Sequence, residues 1–549
     1  MEVAKFNWVD ITREDVIKAV KKFLTESPEY PEPKSTFLVY EGKKLPAKHI
    51  RGMAYTVHYG TKISKADFTG GMETVRFFER LGFEVDYRGT SVWQPKTENE
   101  TVMTAEKQVD IKEKLKVCMY LQCYELQNQE EFKKAAKVIR KSDIDILVFP
   151  EGCYVPNDSE LNNMDIAVDD DCKKVNDICL DLSRDLGCAV VVSTYDKYDT
   201  LYSVFANAFA TEEEASCRLY IKHTATEYSA FDFENYSDFI IDDRMLDPFN
   251  FKGFRIGLTI CYDCNHAIFS RMYELHGGVD LILNSTGGDV IYDKWFKYNK
   301  CRAIENHCYE LVTMGGDGTV KNPHCYVYGF NPNGGQLKPV NLNGPSDVLN
   351  YPGGLYVYEI TKDEGTPEAD TSNLFETINK NRQLEIPEGN VQAVLDKAEQ
   401  ITDRIYKLKV GDENVFFCLV DGMDIMKPEK VLPLLYAPEI KNHRNRRYII
   451  VNRHSHIDEK FFWEKLSTVL KVRAMENYCA VIVESDEINK CYQTGKNRTA
   501  QVVAAENGFF GIDLERTSGA EAIWRNKPGM MKAAWRNNYE WLINYATKL

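Results

Sequence analysis

The chain has 549 residues, 44% hydrophobic and 28% charged, with 15 cysteines and a net charge of −15. That length predicts two or three domains, and the composition excludes a disordered chain. No apolar run reaches the roughly 18 to 20 residues of a membrane span, and MEVAKFNWVDITRED lacks a secretory apolar core. The cysteines follow no disulfide spacing and the acidity disfavours general binding of nucleic-acid phosphate, so a soluble cytoplasmic protein in a reducing compartment is expected.

Residues 1–90 are the least acidic part, with 15 Lys or Arg against 13 Asp or Glu. They predict a small α/β or helical unit in which Lys43, Lys44, Lys48, His49 and Arg51 gather around LPAKHIRG. This cluster reads either as a contact surface for nucleic acid or protein or as the solvated face of a scaffolding module. Residues 91–113 are polar and without periodicity, which predicts a linker. From 114 to 361 strand-like and helical runs alternate: KLKVCMYLQCY, EEFKKAAKVIRK, IDILVFP, CKKVNDICLDLSRDLG and CAVVVSTY. That order predicts βα units on a shared sheet. Residues 362–549 open on the polar KDEGTPEADTSN and close on the aromatic-rich helical tail MMKAAWRNNYEWLINYATKL.

Within 114–361 three apolar runs each end in an ionisable residue: IDILVFP in Glu151, CRLYI in Lys222 and RIGLTI in Cys261. Strand ends are where an α/β sheet assembles sites, and a carboxylate, an amine and a thiol can serve as base, electrostatic stabiliser and nucleophile. Each residue also has a plain reading: a buried small hydrophobe for Cys261, a helix cap for Glu151, a solvated edge lysine for Lys222. Cys261 and Cys264 form a C-x-x-C, but no second pair at metal-site spacing accompanies it.

LVFPEG, RLYIKH and GLTICYD, in that order, resemble the three signature stretches of the carbon-nitrogen hydrolase (nitrilase) superfamily, and LILNSTGGD and RAIENHCYELVTMGGDG resemble its further motifs. The resemblance implies an α-β-β-α sandwich that pairs with another copy, so a homo-oligomer is expected. It also implies hydrolysis through a thioester without cofactor or metal. Its catalytic set falls on Glu151, Lys222 and Cys261, with Glu234 in FDFENYSDF as a second glutamate, Glu227 as the weaker candidate for that role, and the Tyr262 amide as an oxyanion donor. After Cys-Tyr-Asp the chain departs from the family into Cys264, Asn265 and His266. Asn265 and His266, with Asn284, are substrate-pocket candidates that would favour a hydrogen-bonding amide, or the first two cap the helix that follows. Asp263 is expected to hold the turn.

FLVYEGKKLPAKHIRGMAY and FTGGMETVRFFERLGFEV resemble the N-terminal head domain of McrA-type modification-dependent restriction endonucleases. In the last segment, YIIVNRHSHIDEKFFWEKLSTVLKVRAMENYCAVIV echoes LILNSTGGDVIYDKWFKYNKCRAIENHCYELVTM, and NVFFCLVDGMD laid over RIGLTICYD puts Asp421 at the place of Cys261. The echo predicts a degenerate, inactive half-copy of the hydrolase fold in the C-terminal α/β region, packed against the active unit as a built-in partner. The expected activity is hydrolysis of a small-molecule amide or carbamoyl compound, in a defence setting. A regulated effector acting on a nucleotide-like or cofactor amide and a spent binding scaffold are the alternatives.

Overall fold

The computed structural model describes residues 8, 11–26, 36–63, 74, 77–78, 80–87, 113–121, 129–153, 172–195, 201–225, 241, 243–287, 290–315, 326–342, 354–369, 376–495, 498–525 and 527–549. The expected linker falls almost wholly outside them. The chain divides into two compact units, one of residues 1–107 with 158–181 and 196–200, the other of 108–157, 182–195 and 201–549. Among the described residues no helix is long and apolar enough to cross a membrane.

In the first unit, β1 (Thr36–Tyr40), β2 (Lys43–Pro46) and β3 (Glu84–Tyr87) form an antiparallel sheet in the order β2-β1-β3. Helices α1 (Arg13–Glu26) and α2 (Ala47–Tyr59) share a core of Val16, Val20, Phe23, Ile50, Ala54 and Phe78 with it. The basic cluster read from the sequence is divided. Lys43 and Lys44 are exposed, Lys44 paired with Asp86, whereas Arg51 is buried with its guanidinium 4.0 Å above the Trp8 ring and a donor to Thr74 at 3.1 Å. Arg51 is therefore a core residue, because a guanidinium desolvates well between aromatic faces.

The second unit begins with two facing sheets. The larger has the order β14-β15-β4-β5-β6-β7-β8 and comprises β4 (Lys114–Leu121), β5 (Ile146–Val148), β6 (Ala189–Tyr195), β7 (Leu201–Ala206), β8 (Cys217–Ile221), β14 (Val340–Asn341) and β15 (Gly354–Thr361). Helix α3 (Gln129–Ile139) joins β4 to β5, and α4 (Cys172–Leu186), of which residues 172–181 belong to the first unit, precedes β6. The smaller has the order β13-β12-β11-β10-β9, with β9 (Phe249–Phe251), β10 (Phe254–Ile260), β11 (Leu281–Thr286), β12 (Tyr309–Met314) and β13 (Tyr326–Phe330). Strands β10, β11 and β12 run parallel, joined by α5 (Ala267–Leu275) and α6 (Tyr292–Asn306), and every residue of β11 and β12 is buried, as strands covered on both faces require.

Val117, Met119, Ile146 and Val148 from one sheet and Leu258, Ile260, Leu281 and Leu283 from the other belong to one buried cluster. Side chains stitch the sheets: Ser285 donates to the Phe149 carbonyl at 2.8 Å, Thr313 to that of Tyr120 at 2.9 Å, and the Tyr309 and Thr361 hydroxyls meet at 3.2 Å. Gly257 lets the Tyr273 ring lie on β10, where a Cβ would stand 2.7 Å from it.

The C-terminal region lies in the same unit. Its main sheet, in the order β16-β24-β23-β22-β21-β20-β19-β18, comprises β16 (Glu376–Thr377), β18 (Glu399–Gln400), β19 (Ile405–Val410), β20 (Glu413–Asp421), β21 (Arg446–Arg453), β22 (Ala480–Glu484), β23 (Asn489–Thr494) and β24 (Ala500–Val503). One face, with Val415, Phe417, Ile449 and Val451, packs on the small sheet of β17 (Leu384–Pro387), β25 (Ala505–Glu506) and β26 (Phe509–Ile512). The alternate residues, Phe416, Cys418, Val420 and Ile450, join the core of the two facing sheets together with α7 (Pro428–Leu435), α8 (Ser467–Asn477) and α9 (Ala533–Ala546).

Candidate active site

Glu151, Lys222 and Cys261 each stand one to three residues past the carboxyl end of a strand, β5, β8 and β10. The structure brings all three together, buried. Glu151 Oε1 accepts a hydrogen bond from Lys222 Nζ at 2.7 Å, and its Oε2 accepts one from the Gly287 amide at 2.9 Å. The carboxylate is thereby aimed by a backbone amide of the segment after β11.

Cys261 opens a short 3₁₀ segment, Cys261–Asn265, in a left-handed conformation with φ 45°. A residue with a Cβ pays about 1–2 kcal/mol for that conformation, so neighbours must hold it there. Asn284 on β11 does so from one side, its Oδ1 accepting from the Cys261 amide at 3.2 Å and from the Thr286 hydroxyl at 2.7 Å, while its Nδ2 donates to Asn299 at 3.2 Å. Asp263 does so from the other, accepting from the Tyr220 hydroxyl at 2.7 Å, the Thr224 hydroxyl at 2.8 Å and the amides of His223 at 3.2 Å and Ile260 at 3.4 Å. One buried carboxylate thus binds the chain that leaves Lys222 to the turn that carries Cys261. The roles of Gly287, Thr286, Tyr220 and Thr224 escape a sequence reading, since backbone amides and hydroxyls carry no spacing signal.

Burial pushes the Cys261 thiol well above its ordinary range; the hydrogen-bonded Glu151 carboxylate pushes the same way, and the Lys222 ammonium opposes both. Burial alone would lower the Lys222 ammonium, but Glu151, Cys261 and Asp263 hold it above its usual value. Burial raises the Asp263 carboxyl to about 6, against the pull of Lys222 and the hydrogen bonds from Tyr220, Thr224 and His223. The resting site therefore stores a protonated thiol beside a base that can take its proton and a cation that can hold the resulting charge.

The remaining candidates divide. Tyr262 is buried in the same turn, with the Lys527 ammonium 3.3 Å from its ring centroid. Asn265 donates to the Tyr262 hydroxyl at 3.3 Å. His266 ends the 3₁₀ segment at the start of α5 without a side-chain cap, and its ring lies among Phe269, Trp524, Trp535 and Tyr539 at centroid distances of 5.5–6.2 Å. Burial keeps His266 neutral, with Lys527 and Arg302 adding to the effect. Among the described residues no hydrogen bond joins Asn265 or His266 to Glu151, Lys222 or Cys261. Glu227 and Glu234 lie outside the described residues.

Residues 117–335 match the family model of the carbon-nitrogen hydrolases. Residues 9–87 match the model of the ScoMcrA-like N-terminal head domain. A search of curated proteins finds no match. Among solved structures, the chain is similar to a carbon-nitrogen hydrolase from Helicobacter pylori G27, at 12% identity over 45% of this chain and 89% of that one, with a TM-score of 0.35. It is also similar to a variant of the amidase from Nesterenkonia sp. AN1 in complex with butyramide, at 16% identity over 46% and 92% of the two chains, with a TM-score of 0.33.

Proposed function

We propose that the protein hydrolyses the carbon-nitrogen bond of a small non-peptide amide or carbamoyl compound, with Cys261 as nucleophile, Glu151 as base and Lys222 as electrostatic stabiliser. The observation that carries this reading is that Glu151, whose carboxylate accepts from the Lys222 ammonium at 2.7 Å, and the Cys261 thiol are buried together just past the carboxyl ends of three strands, with the carboxylate near enough to raise the thiol. As Sγ attacks the carbonyl carbon, Glu151 takes the thiol proton, and the oxygen charge develops toward Lys222 and the Tyr262 amide. The carbon-nitrogen bond then breaks with the proton passing from Glu151 to the departing nitrogen, leaving a thioester. Water, deprotonated by Glu151, attacks that thioester and releases the acid and the free thiol. Glu234, or failing it Glu227, is the further glutamate that orients the incoming groups.

Ammonia release from a panel of small amides, carbamoyl compounds and nitriles tests the reaction, and Cys261→Ala should abolish it. Turnover that survives this substitution would sink the proposal. The match of residues 9–87 to a restriction-enzyme head domain supports a regulated reading, in which a cytoplasmic defence protein acts on a nucleotide-like or cofactor amide when its N-terminal unit meets nucleic acid or a protein. Turnover measured with and without added DNA separates the two readings.

A further inference from the structure

The C-terminal sheet repeats the pattern of strand directions in the sheet that bears Cys261. Strand β10 is antiparallel to β9 and parallel to β11, which is parallel to β12, which is antiparallel to β13; β20 stands in the same relation to β19, β21, β22 and β23. Detail follows pattern. Strand β20 ends in a 3₁₀ segment, Gly422–Met426, as β10 ends in Cys261–Asn265, and both segments open at φ 45°. Both close on an extended residue, His266 (φ −110°, ψ 96°) and Lys427 (φ −109°, ψ 102°), whose amides bond the Asp263 and Asp424 carbonyls, each at 3.0 Å. The equivalent of Cys261 is thus Gly422, one residue beyond the Asp421 that a sequence overlay selects, and it has no side chain to react.

The two halves meet through a ring of four buried charges. Arg302 and Glu305 on α6 pair with each other, as do Arg473 and Glu476 on α8, the latter at 2.5 Å. Across the halves Arg302 pairs with Glu476, and Arg473 pairs with Glu305 at 2.6 Å. Each arginine also donates from Nε into its own half's 3₁₀ segment, Arg302 to the Cys264 carbonyl at 2.9 Å and Arg473 to that of Ile425 at 3.0 Å. The Cys261 turn therefore hangs on a guanidinium whose second carboxylate comes from the other half. A separate contact reaches the chain beyond Lys222, where Trp535 Nε1 on α9 donates to the His223 carbonyl at 2.8 Å and Lys527 Nζ donates to that of Ala225 at 3.4 Å.

We propose that the C-terminal region is an inactive copy of the Cys261 half-sheet, and that its Glu476 and Trp535 are positioning residues that fix the chain beyond Cys261 and Lys222 respectively. The proposal rests on the reading of Cys261 as nucleophile. It also supplies within one chain the partner that the hydrolase half would otherwise seek in a second molecule.

The test is the rate of Cys261 alkylation by iodoacetamide in the full chain, followed site by site by peptide mass spectrometry from pH 7 to 11 so that the window extends above the ordinary thiol range, with a thermal melt of each variant. Glu476→Gln and Trp535→Phe should each slow Cys261 at least fivefold at pH 7.5 and move its pH midpoint upward, because displacing the Cys261 turn in the first and Lys222 in the second parts the thiolate from the ammonium that offsets it. Glu476→Asp should restore most of the rate. A merely structural role would lower the melting temperature and leave the midpoint in place. If Glu476→Gln does not fold, Trp535→Phe alone decides. Folded variants with wild-type rate and midpoint overturn the positioning role, whereas wild-type Cys261 reacting no faster than the other cysteines overturns the nucleophile reading beneath it.

Discussion

Asn284→Ala probes the device that keeps Cys261 in its left-handed conformation. The substitution strips the acceptor from the buried Cys261 amide and from the Thr286 hydroxyl, and removes the donor to Asn299. The hydroxyl can rotate to another acceptor, but the amide cannot, and an unpaired buried amide costs about 1–3 kcal/mol. Releasing the clamp also frees the roughly 1–2 kcal/mol held in the left-handed residue, so the turn relaxes toward ordinary backbone and carries the thiol away from Glu151. That relief offsets part of the lost hydrogen bonding, so the net cost is at most about 2 kcal/mol. At no more than about 2–4 °C per kcal/mol for a unit larger than 250 residues, the melting temperature should fall by at most roughly 8 °C. Turnover of the best amide in the panel should drop at least a hundredfold, since a displacement of about 1 Å at a reacting centre has that effect. Differential scanning fluorimetry and ammonia release check both figures. A variant that melts and turns over like the wild type would refute the claim that Asn284 holds the Cys261 turn.

Glu151→Gln should abolish turnover yet move the pH midpoint of Cys261 alkylation downward, because it removes the charge that raises the thiol and leaves the one that lowers it; an unchanged or raised midpoint would contradict the electrostatic account. Asp263 titrates at about 6 in the folded protein against an ordinary 3.8, so the folded state binds the extra proton and stability falls as pH rises from about 4 to about 6, by roughly 3 kcal/mol. Asp263→Asn should lack that component, which is read by comparing melting temperature against pH in the two proteins; parallel slopes would rule it out. Gly257→Ala sets a methyl 2.7 Å from the Tyr273 ring and should destabilise by about 1–3 kcal/mol, seen as an earlier melt that Tyr273→Leu in the same chain partly reverses.

The central fold was legible because its parallel strands are nearly continuous apolar runs, and the candidate triad was legible because three of those runs stop at ionisable residues. What surrounds the triad was not. Asp263 could be read as a turn residue, but its four donors come from β8, the segment after it and the end of β10, a convergence that only tertiary structure creates. Arg51 reads as surface charge because Trp8 and Phe77, which flank it, are distant in sequence. His266, taken as a pocket candidate, has its ring among aromatic residues of the C-terminal tail. The tail's aromatic richness was plain, but nothing in its spacing said what it would cover.

The ring of Arg302, Glu305, Arg473 and Glu476 has a consequence for biosynthesis. Its two helices lie far apart along the chain, and with only one of them present its Arg-Glu pair faces water and lacks the cross-half partners that complete the ring. On the ribosome, Cys261 emerges long before Glu476, and Trp535 emerges later still. The Cys261 turn therefore acquires its last supports only after Glu476 and Trp535 have been added, so a growing chain that stops short of them does not hold the assembled thiol site.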